Sequence, residues 1–316
     1  MRNKILVTGG SGFIGSHLVD LLLEQGEKIK VIDNLSIHKN LISNKRLNNN
    51  NLEFLQGNIA EEEWLFDQMY DIKEVWHLGG NSDIKAGAEN MSLDIDNNIK
   101  GTISVLNCMR LHDIQSLIFA SSSTVYGELD KIQYYENDGP LLPISLFGAS
   151  KLTSEGLISA YSSMFNIKAI IFRLGNVVGS RMHRGIIHDL IHKLLKNPKE
   201  LYVLGDGLQA RNFIHVNDVT NGMYEITSHC KQKKTKIEIF NLASDDLCQI
   251  KEIPELIKNK MGLENVKTIY SEEPGWKGDL KRINLSIKKA TNTGWKPENN
   301  SLEAIDKTID HLIKEI

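Results

Sequence analysis

The chain has 316 residues, with 37 lysines plus arginines against 40 aspartates plus glutamates and a formal net charge of −3. That balance gives no electrostatic reason for nucleic acid or an anionic membrane surface as partner, and 41% hydrophobic with 24% charged residues excludes the disordered and fibrous classes. At roughly 150 residues per domain, the length fits two domains or one large domain with a sub-lobe.

Ile5-Leu6-Val7-Thr8 is too short an apolar run for the core of a secretion signal and reads as a first strand. A glycine-rich turn leads into a helix carrying Leu18, Leu21 and Leu22 and stopped near Gly26, after which Ile29 to Asp33 forms a second strand. Further strands are predicted over 52–55, 74–78, 117–121 and 168–173, with helices near 61–70, 92–111 and 146–165. This alternation is the pattern of a parallel sheet covered by helices. Asn48 to Asn51 reads as a surface turn. From about Asn176 the pattern becomes irregular, with short helices near 185–196, 217–228, 250–261 and 301–315 between short strands. We divide the chain into a first domain, 1–175, and a smaller mixed α/β lobe, mainly 176–316, with chain crossings back to the first. Lys231 to Lys236 has no interleaved aromatic residue and reads as a solvated loop. Cys108, Cys230 and Cys248 are far apart and form no C-x-x-C pair, which disfavours a disulfide framework or a zinc site and suits a reducing cytosol. No 18 apolar residues run together, so a cytoplasmic protein without a membrane partner is expected.

Gly9, Gly12 and Gly15 stand in G-x-x-G-x-x-G spacing between the first strand and its helix. Such glycines permit a tight turn, close approach of backbone to a pyrophosphate, and close packing of helix on strand. The helix start at Phe13 and Ile14 then offers unpaired N–H groups to phosphates. Asp33, 18 residues after Gly15, can accept hydrogen bonds from an adenosine ribose, and its charge would repel a 2′-phosphate. The following Asn34-Leu35-Ser36 supplies no arginine to neutralise one. The expected architecture is a Rossmann-type doubly wound sheet, and the expected cofactor is NAD rather than NADP.

Nearly the whole chain resembles the extended short-chain dehydrogenase/reductase family, in particular its nucleotide-sugar epimerases, dehydratases and dehydrogenases. The resemblance is carried in family order by Thr8 to Gly15, Asp33 to Ser36, Trp76-His77-Leu78-Gly79-Gly80, Asn97 to Thr102, Ser121 to Gly127, Phe147 to Lys151, Arg173 to Asn176, Arg211 to Val216 and Gly294 to Pro297. It implies further cofactor contacts from Asn34, Ser36, Asn58, Ile59, Leu78, Gly79, Gly80 and Asn98. At Asn58 the family commonly has an aspartate facing adenine, and asparagine retains both acceptor and donor there.

The family's chemistry uses a tyrosine four residues before a lysine, on one helix face. The lysine holds the nicotinamide ribose and lowers the phenol's pKa, so that the phenolate takes a proton from a sugar hydroxyl. Here Lys151 is present and the tyrosine position is Phe147. Losing a general base usually costs ~10²–10⁴ in rate, or about 3–5.5 kcal/mol of barrier. Three readings account for Phe147: a deliberate change made to trap a complex, a native enzyme moving the proton through Ser122, water and a ribose–Lys151 network, or a non-catalytic cofactor-binding protein. Tyr126, in the family's V-Y-G turn, is not the base.

The resemblance sets the catalytic hydroxyl at Ser122. The next positions, aspartate and glutamate in 4,6-dehydratases, are Ser123 and Thr124, whose hydroxyls lack the pKa to deprotonate C5. The glutamate typical of nucleotide-sugar decarboxylases is missing at Thr124 as well. Oxidation at C4 is therefore expected. Our first reading is net C4 dehydrogenation of a GDP-linked sugar such as a GDP-heptose, for surface polysaccharide, because a slow dehydrogenase tolerates a weak base; 4-epimerisation of a UDP- or GDP-hexose is the alternative.

Asn176 and Arg211 are expected at the diphosphate of the sugar nucleotide, with an Arg211–Asp218 ion pair as the structural alternative. The family often places a second arginine before Gly278-Asp279; here Lys277 precedes them, and either Lys277 or Arg282 substitutes. His188 and His192, one helical turn apart, lack a third ligand with zinc-site spacing and read as a helix face. Helices 92–111 and 146–165 carry apolar residues on more than one face, which a helix-to-helix dimer contact or ordinary core packing would explain, and the resemblance favours a homodimer.

Overall fold

A computed structural model describes residues 2–36, 40–233, 235–271 and 280–315. The chain forms two compact units that alternate in sequence. One is the chain up to Gly127 with Pro140–Arg173 and Met223–Phe240; the other is Glu128–Gly139, Leu174–Gly222 and the chain from Asn241 onward.

The first unit is built on a sheet of β1 (Lys4–Thr8), β2 (Lys28–Asp33), β3 (Leu52–Gln56), β4 (Ile72–His77), β5 (Ser116–Ser122), β6 (Lys168–Leu174) and β7 (Ile237–Leu242), in the order β7-β6-β5-β4-β1-β2-β3. β1 runs parallel to both β2 and β4, β2 to β3, and β4 to β5. The order therefore reverses between β1 and β4, and the crevice beyond the carboxyl ends of such strands is where a doubly wound sheet takes its ligand. Leu6, Val7, Ile29, Val31, Val75 and Ile118 are without exposure, and Val105, Leu106, Met109 and Ile158 on two helices pack into the same core cluster as Leu6 and Val75.

Two departures from the sequence reading bear on the site. β7 was not separated from the irregular second half: its start, Ile237-Glu238-Ile239, is only half-buried, so its apolar run is short. The segment 92–111 is not one helix. It comprises Ser92–Asp94, a π-helical turn over Ile95–Lys100 and an α-helix over Gly101–Leu111. Single π-turns inside α-helices are rare and concentrate at functional sites. Here the turn and its flanks bury Asp94 and Asn98.

The helix Leu146–Phe165 is started by Ser145, whose hydroxyl accepts from Gly148 N at 3.1 Å, and ends at Asn166 in the left-handed conformation (φ 57°). Its buried face is unusually polar: Ser150, Lys151, Ser154, Glu155 and Ser162 accompany Phe147 and Ile158.

In the second unit Asn176–Val178 pairs parallel with Phe213–His215, Ala210–Arg211 pairs antiparallel with Cys248–Gln249, and Glu200–Val203 pairs parallel with Lys267–Tyr270. Its helices include Ile186–Lys196, Glu252–Lys260 and Ser301–Lys314, the last opened by an Asn300–Glu303 capping box. The His188 and His192 rings stack at 4.0 Å. Among the described residues no group of three or more His, Cys, Asp or Glu is placed to hold a metal, and no helix is long and apolar enough to cross a membrane. Among the described residues Cys108, Cys230 and Cys248 are buried and are not joined in disulfides.

Candidate active site

At the carboxyl end of β1 the chain turns at Gly9 (φ +66°), where a Cβ would stand 2.7 Å from the Gly79 backbone. A Cβ on Gly15 would lie 2.1 Å from the Gly9 carbonyl oxygen. The turn and the first turn of the helix Phe13–Glu24 thus touch backbone to backbone. Gly12 caps that helix with no side-chain hydrogen bond, and no acidic residue occupies its first turn. Its first N–H groups, those of Phe13 and Ile14 among them, keep their partial positive charge for an anion. Asp33 is fixed beside the turn: its carboxylate accepts from Ser11 N at 3.0 Å and from Leu35 N at 2.9 Å. Asn34 accepts from Ser36 N, and Asn58 from Ala60 N. Ile59 packs where side chains on Gly79 or Gly101 would otherwise be.

Beneath the crevice runs a buried polar chain. The Thr8 hydroxyl accepts from Gly79 N at 3.0 Å and meets His77 Nδ1 at 2.7 Å; His77 Nε2 meets the Thr102 hydroxyl at 3.0 Å, and Thr102 donates to the Asn98 carbonyl at 2.6 Å. Burial, with the Lys151 charge second, pushes His77 down to about 3. Below the ordinary histidine pKa of about 6.5 the unfolded chain takes a proton that the folded chain refuses, so stability falls with pH across the window from about 6.5 to about 3. Urea unfolding between pH 6 and 4 is therefore expected to show this group removing about 1.4 kcal/mol per pH unit, a contribution that His77→Asn abolishes. An unchanged slope in that variant would show that His77 titrates normally.

Lys151 lies one helical turn from Phe147 and is buried. Its Nζ donates to the Ala120 carbonyl at 3.0 Å and stands 5.0 Å from the Phe119 ring centre and 6.0 Å from that of Phe147. Burial lowers Lys151 to about 8, against the opposing pull of Asp94 and Glu155. Asn98 and Lys151 face a common point: a Cβ on Gly80 would lie 2.4 Å from Asn98 Oδ1 and 3.8 Å from Lys151 Nζ. Asn98 Nδ2 donates to Ser150 Oγ at 2.8 Å and Asp94 Oδ1 at 3.2 Å, whereas Asn98 Oδ1 and Asp94 Oδ2 are buried without a protein partner. Burial raises the Asp94 carboxyl.

Ser122 ends β5 and its hydroxyl accepts from Thr124 N at 3.2 Å and Thr124 Oγ1 at 2.9 Å; Ser123 between them is buried. Behind them, Ser121 donates to Glu155 at 2.5 Å, and Glu155 forms a buried ion pair with Arg173, 2.7 Å at its shortest. Tyr126 is fully buried beneath the Arg173 guanidinium. Sequence reasoning did not single out Thr8, His77, Asp94, Glu155 or Arg173 as a network. The available signal was polar residues at helical spacing from Lys151 and an arginine inside the apolar strand Lys168–Leu174.

In the second unit Arg211 is buried, its guanidinium donating to the carbonyls of Ala210 and Leu280. Asp218 accepts from the backbone N–H groups of Glu298 and Asn299 and from the Asn299 side chain. Asn176 N donates to the Asn212 carbonyl, and Arg282 forms a bridge with Ala210. Lys277 lies outside the described residues.

The NAD dependent epimerase/dehydratase family model matches residues 5–243, and the chain belongs to that family. As a member it takes NAD as cofactor, in agreement with the glycine cradle, the uncapped helix start and the unpartnered Asn98 oxygen. Over 316 aligned residues the chain is 35% identical to a putative UDP-glucose 4-epimerase of Methanocaldococcus jannaschii, covering 98% of each chain. A crystal structure of a UDP-galactose 4-epimerase superposes with a TM-score of 0.89 at 30% identity, covering 99% of both chains. A tyrosine-to-phenylalanine mutant of the UDP-glucuronic acid 4-epimerase from Bacillus cereus, in complex with UDP-4-deoxy-4-fluoro-glucuronic acid and NAD, superposes with a TM-score of 0.87 at 26% identity, covering 99% of this chain and 100% of that one.

Proposed function

We propose that the protein carries out NAD-linked oxidation and reduction at C4 of a UDP-linked hexose, working as a 4-epimerase. The observation that carries this reading is the convergence, within the first unit, of the glycine cradle after β1 and the Ser122–Thr124 pair at the end of β5 with Lys151 and Asn98, which helices bring to Ala120 of β5 and to Gly80 after β4. Gly9, Gly12, Phe13, Ile14 and Gly15 would hold the cofactor diphosphate, Asp33, Asn34 and Ser36 the adenosine ribose, and Asn58 and Ile59 the adenine. Leu78, Gly79, Gly80, Asn98 and Lys151 would line its nicotinamide end. Bound NAD supplies a reversible hydride acceptor. Ser122 meets the sugar O4, with Ser123 and Thr124 beside it, and Asn176, Arg211 and Lys277 serve the substrate diphosphate, arginine through its planar donor fork.

UDP replaces GDP in this reading because the relatives named above act on UDP-sugars by name. Dehydration stays disfavoured, since Ser123 and Thr124 offer no carboxylate. Phe147 supports a second reading, a slow net 4-dehydrogenase. Incubating the NAD-loaded protein with UDP-glucose and, separately, GDP-mannose separates the readings through the C4 proton signals and nicotinamide absorbance. The C4 epimer of the UDP-sugar without net NADH is expected. Accumulating NADH with a 4-ketone supports the second reading, and an unchanged C4 with both nucleotides defeats both.

A further inference from the structure

Ser122 and Thr124 form a pair whose hydrogen-bond directions are set by the fold. A serine hydroxyl has two acceptor lone pairs and one donor hydrogen. Ser122 Oγ accepts from Thr124 N at 3.2 Å and from Thr124 Oγ1 at 2.9 Å. Both acceptor positions are thus used. Among the described residues the Ser122 hydroxyl donates to no protein acceptor in return.

Thr124 cannot easily turn away. It lies in the 3-10 turn Ser123–Tyr126, capped by Ser122 itself, and its carbonyl accepts from Gly127 N at 3.4 Å. The first turn of the helix Leu146–Phe165 presses on the same carbonyl: a Cβ on Gly148 would stand 2.6 Å from it. The segment that aims Ser122 is therefore clamped by the helix that carries Lys151.

From this geometry we infer that Thr124 is a positioning residue that makes Ser122 a one-way donor, its hydrogen directed at the sugar O4. The inference rests on the C4 reading above and deepens it. With its lone pairs occupied, Ser122 does not accept the O4 proton, which passes to a water molecule as the C4 hydrogen leaves as hydride. Ser122 stabilises negative charge on O4 by donation, strongest where that charge develops, as a preoriented donor does in an oxyanion site. Thr124 touches Ser122 rather than the reacting carbon.

The test compares Thr124→Val, which removes the hydroxyl at nearly constant shape, with Thr124→Ser, which keeps it, using NAD-loaded protein and UDP-glucose. Thr124→Val is expected to lower kcat about fivefold to tenfold, one hydrogen bond's worth, with KM within twofold. Thr124→Ser is expected to stay within twofold of the parent, and adding Thr124→Val to Ser122→Ala is expected to cost nothing further, because the two side chains act as one unit. Thermal unfolding shows that each variant is folded. A Thr124→Val enzyme with unchanged kcat, a raised KM instead, no rescue by serine, or additive loss in the double variant would each overturn the inference while leaving the C4 reading intact. A parent protein that leaves C4 untouched overturns the reading and the inference together.

Discussion

Phe147→Tyr is expected to accelerate C4 chemistry by ~10²–10⁴, the usual contribution of a positioned general base. The side chain at this position is buried at the start of the helix Leu146–Phe165, and its ring centre lies 6.0 Å from Lys151 Nζ. A phenol there would meet a neighbouring ammonium, which favours the phenolate and lowers its pKa. Lys151 is lowered to about 8 by burial, so its charge is held below that pH and lost above it. The gain should rise with pH as the phenolate forms, earliest where Lys151 still carries its charge, and level off once the phenol is ionised. KM should change little, since the ring is already accommodated. Steady-state rates of the two proteins on one UDP-hexose across pH 6 to 9 check this. Equal rates would mean that the proton leaves by a route in which position 147 has no part.

Gly15→Ala is expected to weaken NAD binding by about 10²-fold, equivalent to about 2.7 kcal/mol. The added methyl would sit 2.1 Å from the Gly9 carbonyl oxygen and 2.8 Å from Gly10 Cα. Both are backbone atoms of the turn, so relief requires the helix start to move away from β1, and overpacking of this kind costs about 1–3 kcal/mol. Moving the helix start also misdirects the N–H groups that would face the diphosphate. Gly156→Ala is the matched control: it lies in a helix with nothing within 4 Å of its Cβ position and should leave NAD affinity unchanged while gaining up to about 1 kcal/mol of stability. Titration with NAD, followed by protein fluorescence, compares them. An affinity for Gly15→Ala within threefold of the parent would show that the contact is not part of a cofactor cradle.

The legibility of this fold differs by element. β1, β5 and β6 contain continuous apolar runs and β2 one interrupted only by the buried Lys30, all buried on both faces over most of their length, and their positions follow from the residue pattern. β7 does not, because its first half is only partly buried and it follows a polar loop. The π-turn at Ile95–Lys100 is not distinguished by residue type from the helix that follows it, yet it brings Asn98 beside Ser150. Ser122 and Lys151 were legible through family motifs. The chain Thr8–His77–Thr102 joins residues 69 and 25 apart in sequence, and such pairings become visible only once β1 and β4 are neighbours. Arg211 is a different case: sequence identifies a planar cation suited to phosphate, whereas folding adds backbone carbonyls of Ala210 and Leu280 as its partners, which fix its direction without changing its charge.

The central claim, reversible oxidation at C4 of a UDP-hexose, is tested most directly by UDP-glucose deuterated at C4, incubated with the NAD-loaded protein and read by NMR. The account predicts UDP-galactose that retains the deuterium at C4, because the hydrogen removed from that carbon returns to it from within the site. UDP-glucose recovered unchanged, or exchange of hydrogen at a carbon other than C4, would contradict it.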